Sequence, residues 1–280
     1  MTRESGDHDL GSARPATRPA PSRASPLEPN AERWSAFWRG REAPEEFYPP
    51  SLRIQEHLLR HAGRGTRVLE VGAGSGRDSA ALARAGACVV LLDASAGALD
   101  LADRNAIGFR GRSLVRGDAL RAPFPPASFD LVFHQGLLEH FPDPLPLLRE
   151  NARLLRPGGV LLVDVPQTFH AWTALKKALI ALDRWFAGWE TQYTAGQLER
   201  IVTAAGFELL ATYGDWMRPS LPYRLAREAL RHVGLRLPMY PPGVPRLREL
   251  RGRVRAALLR RRAALLTAHT VGVVARKPAR

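Results

Sequence analysis

The chain is expected to fold as an α/β domain, a doubly wound, seven-stranded and mostly parallel sheet with a helical basic insertion before its last strand. Three observations predict this. Apolar strand-like runs alternate with helical patterns from Trp34 to about Asp215, and strands separated by helices build parallel sheets. The run Val68 to Val71 leads straight into a turn with three glycines, Gly72, Gly74 and Gly76, and such a turn lets a ligand approach the main chain where a Cβ would collide. Net positive charge is confined to one end. Residues 218–280 hold 16 Lys or Arg and 2 Asp or Glu, whereas residues 1–217 hold 25 of each sign, so the whole net charge of +14 lies in the C-terminal part.

Taken in order, residues 1–30 carry five prolines, four acids and four arginines without apolar periodicity, a composition that supports no packed core, so a disordered arm is expected. Residues 31–216 form the main domain, with strands expected near 67–72, 87–93, 113–117, 129–134, 158–165 and 207–213. The helix that begins at Thr194 opens on the capping-box pair Thr194 and Gln197 and stops at Gly206. Residues 217–266 are the basic helical insertion, and 267–280 supply the last strand, Ala268 to Ala275, returning antiparallel, and a tail.

Asp93 follows Gly76 by seventeen residues, at the end of the apolar run Val89 to Leu92. An acid beyond the second strand can accept both hydroxyls of a ribose, which predicts a nucleoside-bearing cofactor. A dinucleotide fingerprint would place its third glycine one residue later, where Arg77 stands, and that bulk disfavours NAD. Glu70, two residues before the first glycine, would repel a pyrophosphate but suits an ammonium or a sulfonium. That charge logic points to S-adenosylmethionine.

The ordered set Glu70-x-Gly72-x-Gly74-x-Gly76, Asp93, Gly117-Asp118-Ala119, Phe129 to Val132 and Leu155 to Gly159 resembles the class I S-adenosylmethionine-dependent methyltransferases. The likeness is strongest to the branch that modifies small molecules such as quinone precursors and natural products. The resemblance implies a Rossmann-like methyltransferase fold. It also implies that Glu70, Gly72, Gly74 and Gly76 hold the amino-acid end of the cofactor, Asp93 and Ala94 the ribose, and Asp118 and Ala119 the adenine, with His134 beside the cofactor at the end of the fourth strand. The segment from His134 to His140 then borders the acceptor pocket.

Methyl transfer from a sulfonium asks the protein for position and for a base. Glu139 and His140 are the candidates for proton removal, since a histidine can take a phenol or enol proton near neutral pH; the competing reading packs His140 under the crossover. His134, Gln135, His170 and Tyr48 are weaker candidates for the pocket lining. Gly136 stands where similar quinone-pathway enzymes carry a further acid, so no metal is expected. The expected acceptor is a small, fairly apolar molecule methylated at oxygen. The Asn/Asp-Pro-Pro-Tyr signature of amino-methylating nucleic-acid enzymes is replaced by Phe133-His134-Gln135-Gly136.

At 280 residues and 45% hydrophobic content, the chain can bury one large core. It has neither a run of about eighteen apolar residues nor an apolar signal region near its start, which predicts a cytoplasmic protein. Its single cysteine, Cys88, forms no internal disulfide and reads as a small core residue. Carbon-5 pyrimidine methylation, which needs an accessible thiolate, is therefore disfavoured.

Two amphipathic stretches remain. Arg246 to Arg262 contains eight arginines and one acid, with Leu247, Leu250, Val254 and Leu258 at helical spacing. It suits a helix packing its leucines on the domain, an anionic membrane surface, or, less well, nucleic acid, because Tyr223 and Tyr240 are the only aromatic residues nearby for stacking. A non-catalytic cofactor-binding protein docked on a membrane is a further alternative. In the second stretch, Trp172, Leu175, Leu179, Leu182 and Phe186 share one helical face, with Lys176 and Lys177 on others. It reads equally as a wall for an apolar acceptor and as a helix covering the sheet.

Overall fold

The computed structural model describes residues 28–39, 52–105, 112–185, 187–240, 245–259 and 261–279. The expected N-terminal arm lies outside these residues up to position 27, as do Tyr48 and Phe186. Seven strands form one sheet: β1 (Arg67–Val71), β2 (Cys88–Asp93), β3 (Arg112–Arg116), β4 (Phe129–Gln135), β5 (Leu155–Pro166), β6 (Glu208–Asp215) and β7 (Thr270–Arg276). The spatial order is β3-β2-β1-β4-β5-β7-β6. β7 runs antiparallel to both neighbours and every other pair is parallel.

The helices are α1 (Glu28–Trp38), α2 (Leu52–His61), α3 (Arg77–Arg84), α4 (Ala96–Asn105), α5 (Leu145–Leu154), α6 (Ala171–Ala181), α7 (Ala195–Ala204), α8 (Leu221–His232) and α9 (Pro245–Leu259). Strand residues alternate between two faces, and each face is covered. Leu69, Val71, Val132 and Val163 pack with Leu147 and Leu148 of α5 and Leu198 and Val202 of α7. Val68, Leu131, Phe133 and Leu162 pack with Ile54 and Leu58 of α2 and Leu82 of α3. At the start of α7, Thr194 Oγ1 accepts from the Gln197 N–H at 3.2 Å and Gln197 Oε1 accepts from the Thr194 N–H at 2.8 Å. Strand order reverses at β1, between β2 and β4, so a crevice opens beyond the carboxyl ends of these three strands.

Two expectations about burial are corrected. Cys88 is exposed rather than buried, because as the first residue of β2 it precedes the point where inward pointing begins at Val89. It also sits five residues from Asp93, about 16 Å along the strand and at the opposite edge from the crevice. In α6 the buried residues are Thr173 and Lys176, while Leu175 and Leu182 are 39% and 65% exposed. The helix is therefore rotated from its apolar stripe, and an ion pair described below accounts for the buried lysine.

The α8–α9 region is tied to the sheet through Arg255, whose guanidinium donates to Asp215 Oδ1 at 2.6 Å and to the Trp216 carbonyl, and lies 5.6 Å from the Trp216 ring. Leu259 is buried, but Leu250, Val254 and Leu258 are 57%, 50% and 40% exposed. Of the readings open for this helix, packing of its leucines on the domain is not what Leu250, Val254 and Leu258 do, since they face outward.

Candidate active site

The crevice is a cleft with a volume of about 1080 Å³, large against the roughly 300–1,000 Å³ usual for a site that takes one ligand. One end is built by the β1 and β2 turns. Gly72 and Gly74 have φ of 63° and 53°, the left-handed region that glycine enters without cost. Their left-handed turn lifts the backbone so that the Gly74 N–H donates to Asp93 Oδ2 at 2.8 Å, while the Ser95 N–H donates to Asp93 Oδ1 at 2.8 Å. Burial raises the Asp93 pKa and these backbone donors oppose the rise. Ala94, Asp118 and Ala119 also line this end, and Asp118 Oδ1 accepts from the Leu120 N–H at 2.8 Å, which fixes the carboxyl at the end of β3.

Glu70 lines the cleft while only 5% exposed, and it accepts a hydrogen bond from the Ser79 hydroxyl. Burial, then repulsion from Asp78, pushes its pKa up to about 8. The fixed negative charge expected there is therefore a carboxylic acid at neutral pH until a cation arrives to ionise it.

Two residues expected at the cofactor stand elsewhere. Gly76 does not line the cleft: a Cβ there would lie 2.4 Å from Leu91 Cδ2 and 3.3 Å from Ala102 Cβ. It is the glycine that lets α3 pack against β2, the role a dinucleotide fingerprint assigns to its third glycine one position later. His134 is fully buried, with both ring nitrogens unpaired, and burial lowers its pKa to about 3. The β4 pleat turns it to the α5–α7 side and turns its neighbour Gln135 into the cleft.

The other end of the cleft is formed after β4, where residues Leu138–His140 make one 3₁₀ turn. Glu139 and His140 both line the cleft. Glu139 is 3% exposed, its Oε2 has no partner, and burial together with the charge of Glu190 pushes its pKa up to about 8. It therefore holds a proton at neutral pH and is unsuited to remove one. His140 is driven the opposite way by burial, with the Glu190 charge opposing the fall, so its imidazole is neutral near pH 7. Its ring meets Trp34 edge to face at 5.4 Å. His170 stands back from the cleft as the cap of α6, its Nδ1 accepting from the Trp172 N–H at 3.1 Å.

The sequence reading missed the aromatic residues of α1, and it raised the stretch from Trp172 as a wall for the acceptor without joining Lys176 to Glu190. Trp34, Phe37 and Trp38 of α1 line the cleft across from the glycine turn. Ser35 holds α1 there by donating to the Ser95 hydroxyl at 2.9 Å; aromatic residues at i, i+3 and i+4 were the available signal. Lys176, Trp185 and Glu190 also line the cleft, and no local pattern announces the contact of Lys176 with a residue fourteen positions on. Leu221, Arg224, Leu225 and Met239 of the α8 region complete a mixed apolar and basic wall.

Residues 69–163 match the family described as Methyltransferase domain. A ubiquinone biosynthesis O-methyltransferase of Xanthomonas campestris pv. campestris is 36% identical over 115 residues, 40% of this chain and 48% of that protein. The chain thus spans about half the length of the first curated relatives it matches. A protein of the same name from Cupriavidus pinatubonensis is 31% identical over 174 residues, 59% of this chain and 69% of that protein. Among solved structures, the [4+2]-cyclase SpnF superposes with a TM-score of 0.58 at 24% identity, covering 81% of each chain, a likeness of fold. The sheet order with its antiparallel seventh strand, the glycine turn facing Asp93, and these relatives agree: the chain belongs to the class I S-adenosylmethionine-dependent methyltransferases.

Proposed function

We propose that the protein transfers a methyl group from S-adenosylmethionine to an oxygen of a small, fairly apolar acceptor. The observation that carries this reading is one continuous cleft with Glu70, Gly72, Gly74, Asp93 and Asp118 at one end and His140 among tryptophans at the other. The donor set fits the cofactor. A buried acid that a cation would ionise suits the ammonium, Asp93 presents carboxylate oxygens suited to two ribose hydroxyls, and Asp118 with the Ala119 backbone suits an adenine edge. Held by these residues, S-adenosylmethionine would supply an electrophilic methyl to the acceptor oxygen, with its sulfur as the leaving group.

The chain's own residues orient the acceptor and receive its proton. Neutral His140 is the group suited to accept that proton, and Trp34 against its ring holds its plane and excludes water. Incubating the protein with radiolabelled S-adenosylmethionine and host lysate, then counting organic, nucleic-acid and protein fractions, tests the reading. Label in the organic fraction supports it; label confined to nucleic acid, or cofactor binding with no transfer to a panel of phenols and enols, overturns it.

A second element of the reading concerns partners. The outward Leu250, Val254 and Leu258 on an arginine-rich α9 favour docking on an anionic membrane surface. No helix among the described residues is long and apolar enough to cross a membrane. Flotation with phosphatidylglycerol vesicles at low salt, lost at high salt and in a Leu250→Ser, Val254→Ser variant, is the expected result. A protein that never floats removes the membrane from the proposal.

A further inference from the structure

Where α6 crosses the acceptor end of the cleft, Lys176 and Glu190 are 4% and 9% exposed and form an ion pair. Glu190 Oε1 also accepts from Trp185 Nε1 at 2.6 Å, and the Lys176 ammonium stands 5.6 Å from the Trp185 ring centroid. Trp185 in turn meets Trp172 edge to face at 6.1 Å. A buried ion pair is weak evidence of stabilisation, since apolar side chains of equal volume commonly do as well or better. This pair lines the cleft together with Glu139, whose buried Oε2 has no partner. An ammonium and an acid proton therefore converge beside two indole rings. That combination recognises a flat ring carrying a negatively charged oxygen.

We propose that Lys176 and Glu139 form an oxyanion subsite that binds the acceptor, a planar phenol or enol, through its ionised oxygen, with Glu190 and Trp185 positioning Lys176. Its place in catalysis rests on the methyl-transfer reading; its binding chemistry does not. The acceptor hydroxyl gives its proton to neutral His140, and the charge left on oxygen is met by Lys176 and by the Glu139 proton. Methylation removes that charge, so the ether product loses its hold on the subsite and Lys176 returns fully to Glu190. The arrangement selects acidic hydroxyls on flat rings over aliphatic alcohols.

The test uses the intact protein and 4-nitrophenol, whose phenolate is read by visible absorbance, without cofactor. Binding is expected to lower the probe's apparent pKa by about one unit, a tenfold preference for phenolate over phenol. Lys176→Met should abolish the shift. Because that variant strands Glu190 in the interior and risks unfolding, the paired Lys176→Met, Glu190→Gln variant, which removes both charges, decides the matter. No shift in the unaltered protein at millimolar probe, or the same shift in the paired variant, overturns the subsite. Calorimetry with S-adenosylhomocysteine on the same samples separates the two readings. Cofactor binding without a probe shift sinks the subsite alone, and a Lys176-dependent shift without cofactor binding supports the subsite and sinks the methyl-transfer reading.

Discussion

The Gly74 N–H donates to Asp93 Oδ2 at 2.8 Å, so the glycine turn and the acid nineteen residues later are one unit rather than two separate motifs. Asp93 is thereby oriented before any ligand enters, which limits the ordering cost of binding. Replacing it by asparagine keeps the size but removes the charge and one acceptor oxygen. A hydrogen bond to a charged group contributes roughly 1.5–3 kcal/mol, so Asp93→Asn is expected to weaken S-adenosylhomocysteine binding by about tenfold or more. Asp93→Ala should in addition lower the melting temperature, since the Gly74 and Ser95 donors lose their acceptor. Calorimetry and thermal denaturation check both; unchanged affinity in the asparagine variant would remove Asp93 from the cofactor site.

Glu70 makes binding depend on pH. Its pKa is raised to about 8, first by burial and then by Asp78, so the free protein holds a proton there at pH 7. A cationic ligand favours the ionised form, so binding must expel that proton, and affinity must rise with pH up to about 8 and then level off. Titrations in two buffers of different ionisation enthalpy should show proton release at pH 7. Glu70→Gln should bind more weakly and release none; a variant that still released the proton would place its source elsewhere.

The same buried acids govern stability. Glu70, Glu139 and Asp164 each have a pKa raised to about 8, with burial the largest cause. In the unfolded chain they ionise near their ordinary values, about 4. Between those limits each of these acids binds its proton in the native state and not in the unfolded state, so the stability that it contributes falls as pH rises. Burial lowers the pKa of His57, His134 and His269, which opposes this slope below about pH 6.5 but is complete above it. The denaturation midpoint of the cofactor-free protein should therefore drop from about pH 6.5 to about pH 8, and S-adenosylhomocysteine should flatten the drop by drawing Glu70 into its ionised form. A midpoint that climbs over this interval would contradict the burial of these acids.

Gly76 is expected to matter for folding. An alanine there would have to hold φ near 64° and find room for a Cβ 2.4 Å from Leu91 Cδ2. The left-handed backbone costs roughly 1–2 kcal/mol and overpacking typically about 1–3 kcal/mol more. Denaturant melts should show Gly76→Ala clearly destabilised. Adding Leu91→Ala should lose less than the sum of the single losses, because the two changes share one space. Additive losses would mean that the backbone conformation alone demands glycine.

The strands and the glycine-turn end of the cleft were legible because they are written locally. Apolar runs mark β1 and β2, glycines mark the turn, and Asp93 falls at the strand end where a crevice ligand must pass. The antiparallel return of β7 was what the family resemblance implied. What was not legible depends on contacts between distant segments. His134 and Gln135 are adjacent and both polar, and only the pairing of β4 with its neighbours decides which enters the cleft. Lys176 was placed only off the apolar face of its helix, because its partner Glu190 lies beyond the end of that helix, and the ionisation of Glu139 depends on burial that no local pattern reports. The outward stripe of α9 is a similar case, since amphipathicity shows that a face is apolar but not what covers it.

His140 and Glu139 are adjacent in the 3₁₀ turn, yet burial drives them to opposite protonation habits, and their variants should therefore separate. Burial favours the neutral imidazole in His140, leaving it ready to accept a proton near pH 7, and general-base catalysis typically contributes about 10²–10⁴-fold. His140→Ala should lower turnover by a factor in that range while leaving S-adenosylhomocysteine affinity unchanged. Glutamine has the shape of a protonated glutamate, so Glu139→Gln should retain most activity at pH 7 and differ from the parent only as pH rises past about 8, where the parent's Glu139 ionises. Placing a carboxylate beside the acceptor's own negative oxygen costs binding, so the parent should lose kcat/KM above that pH and the glutamine variant should not. A Glu139→Gln protein that is inactive at pH 7 would reverse the assignment and make Glu139, not His140, the group that takes the proton.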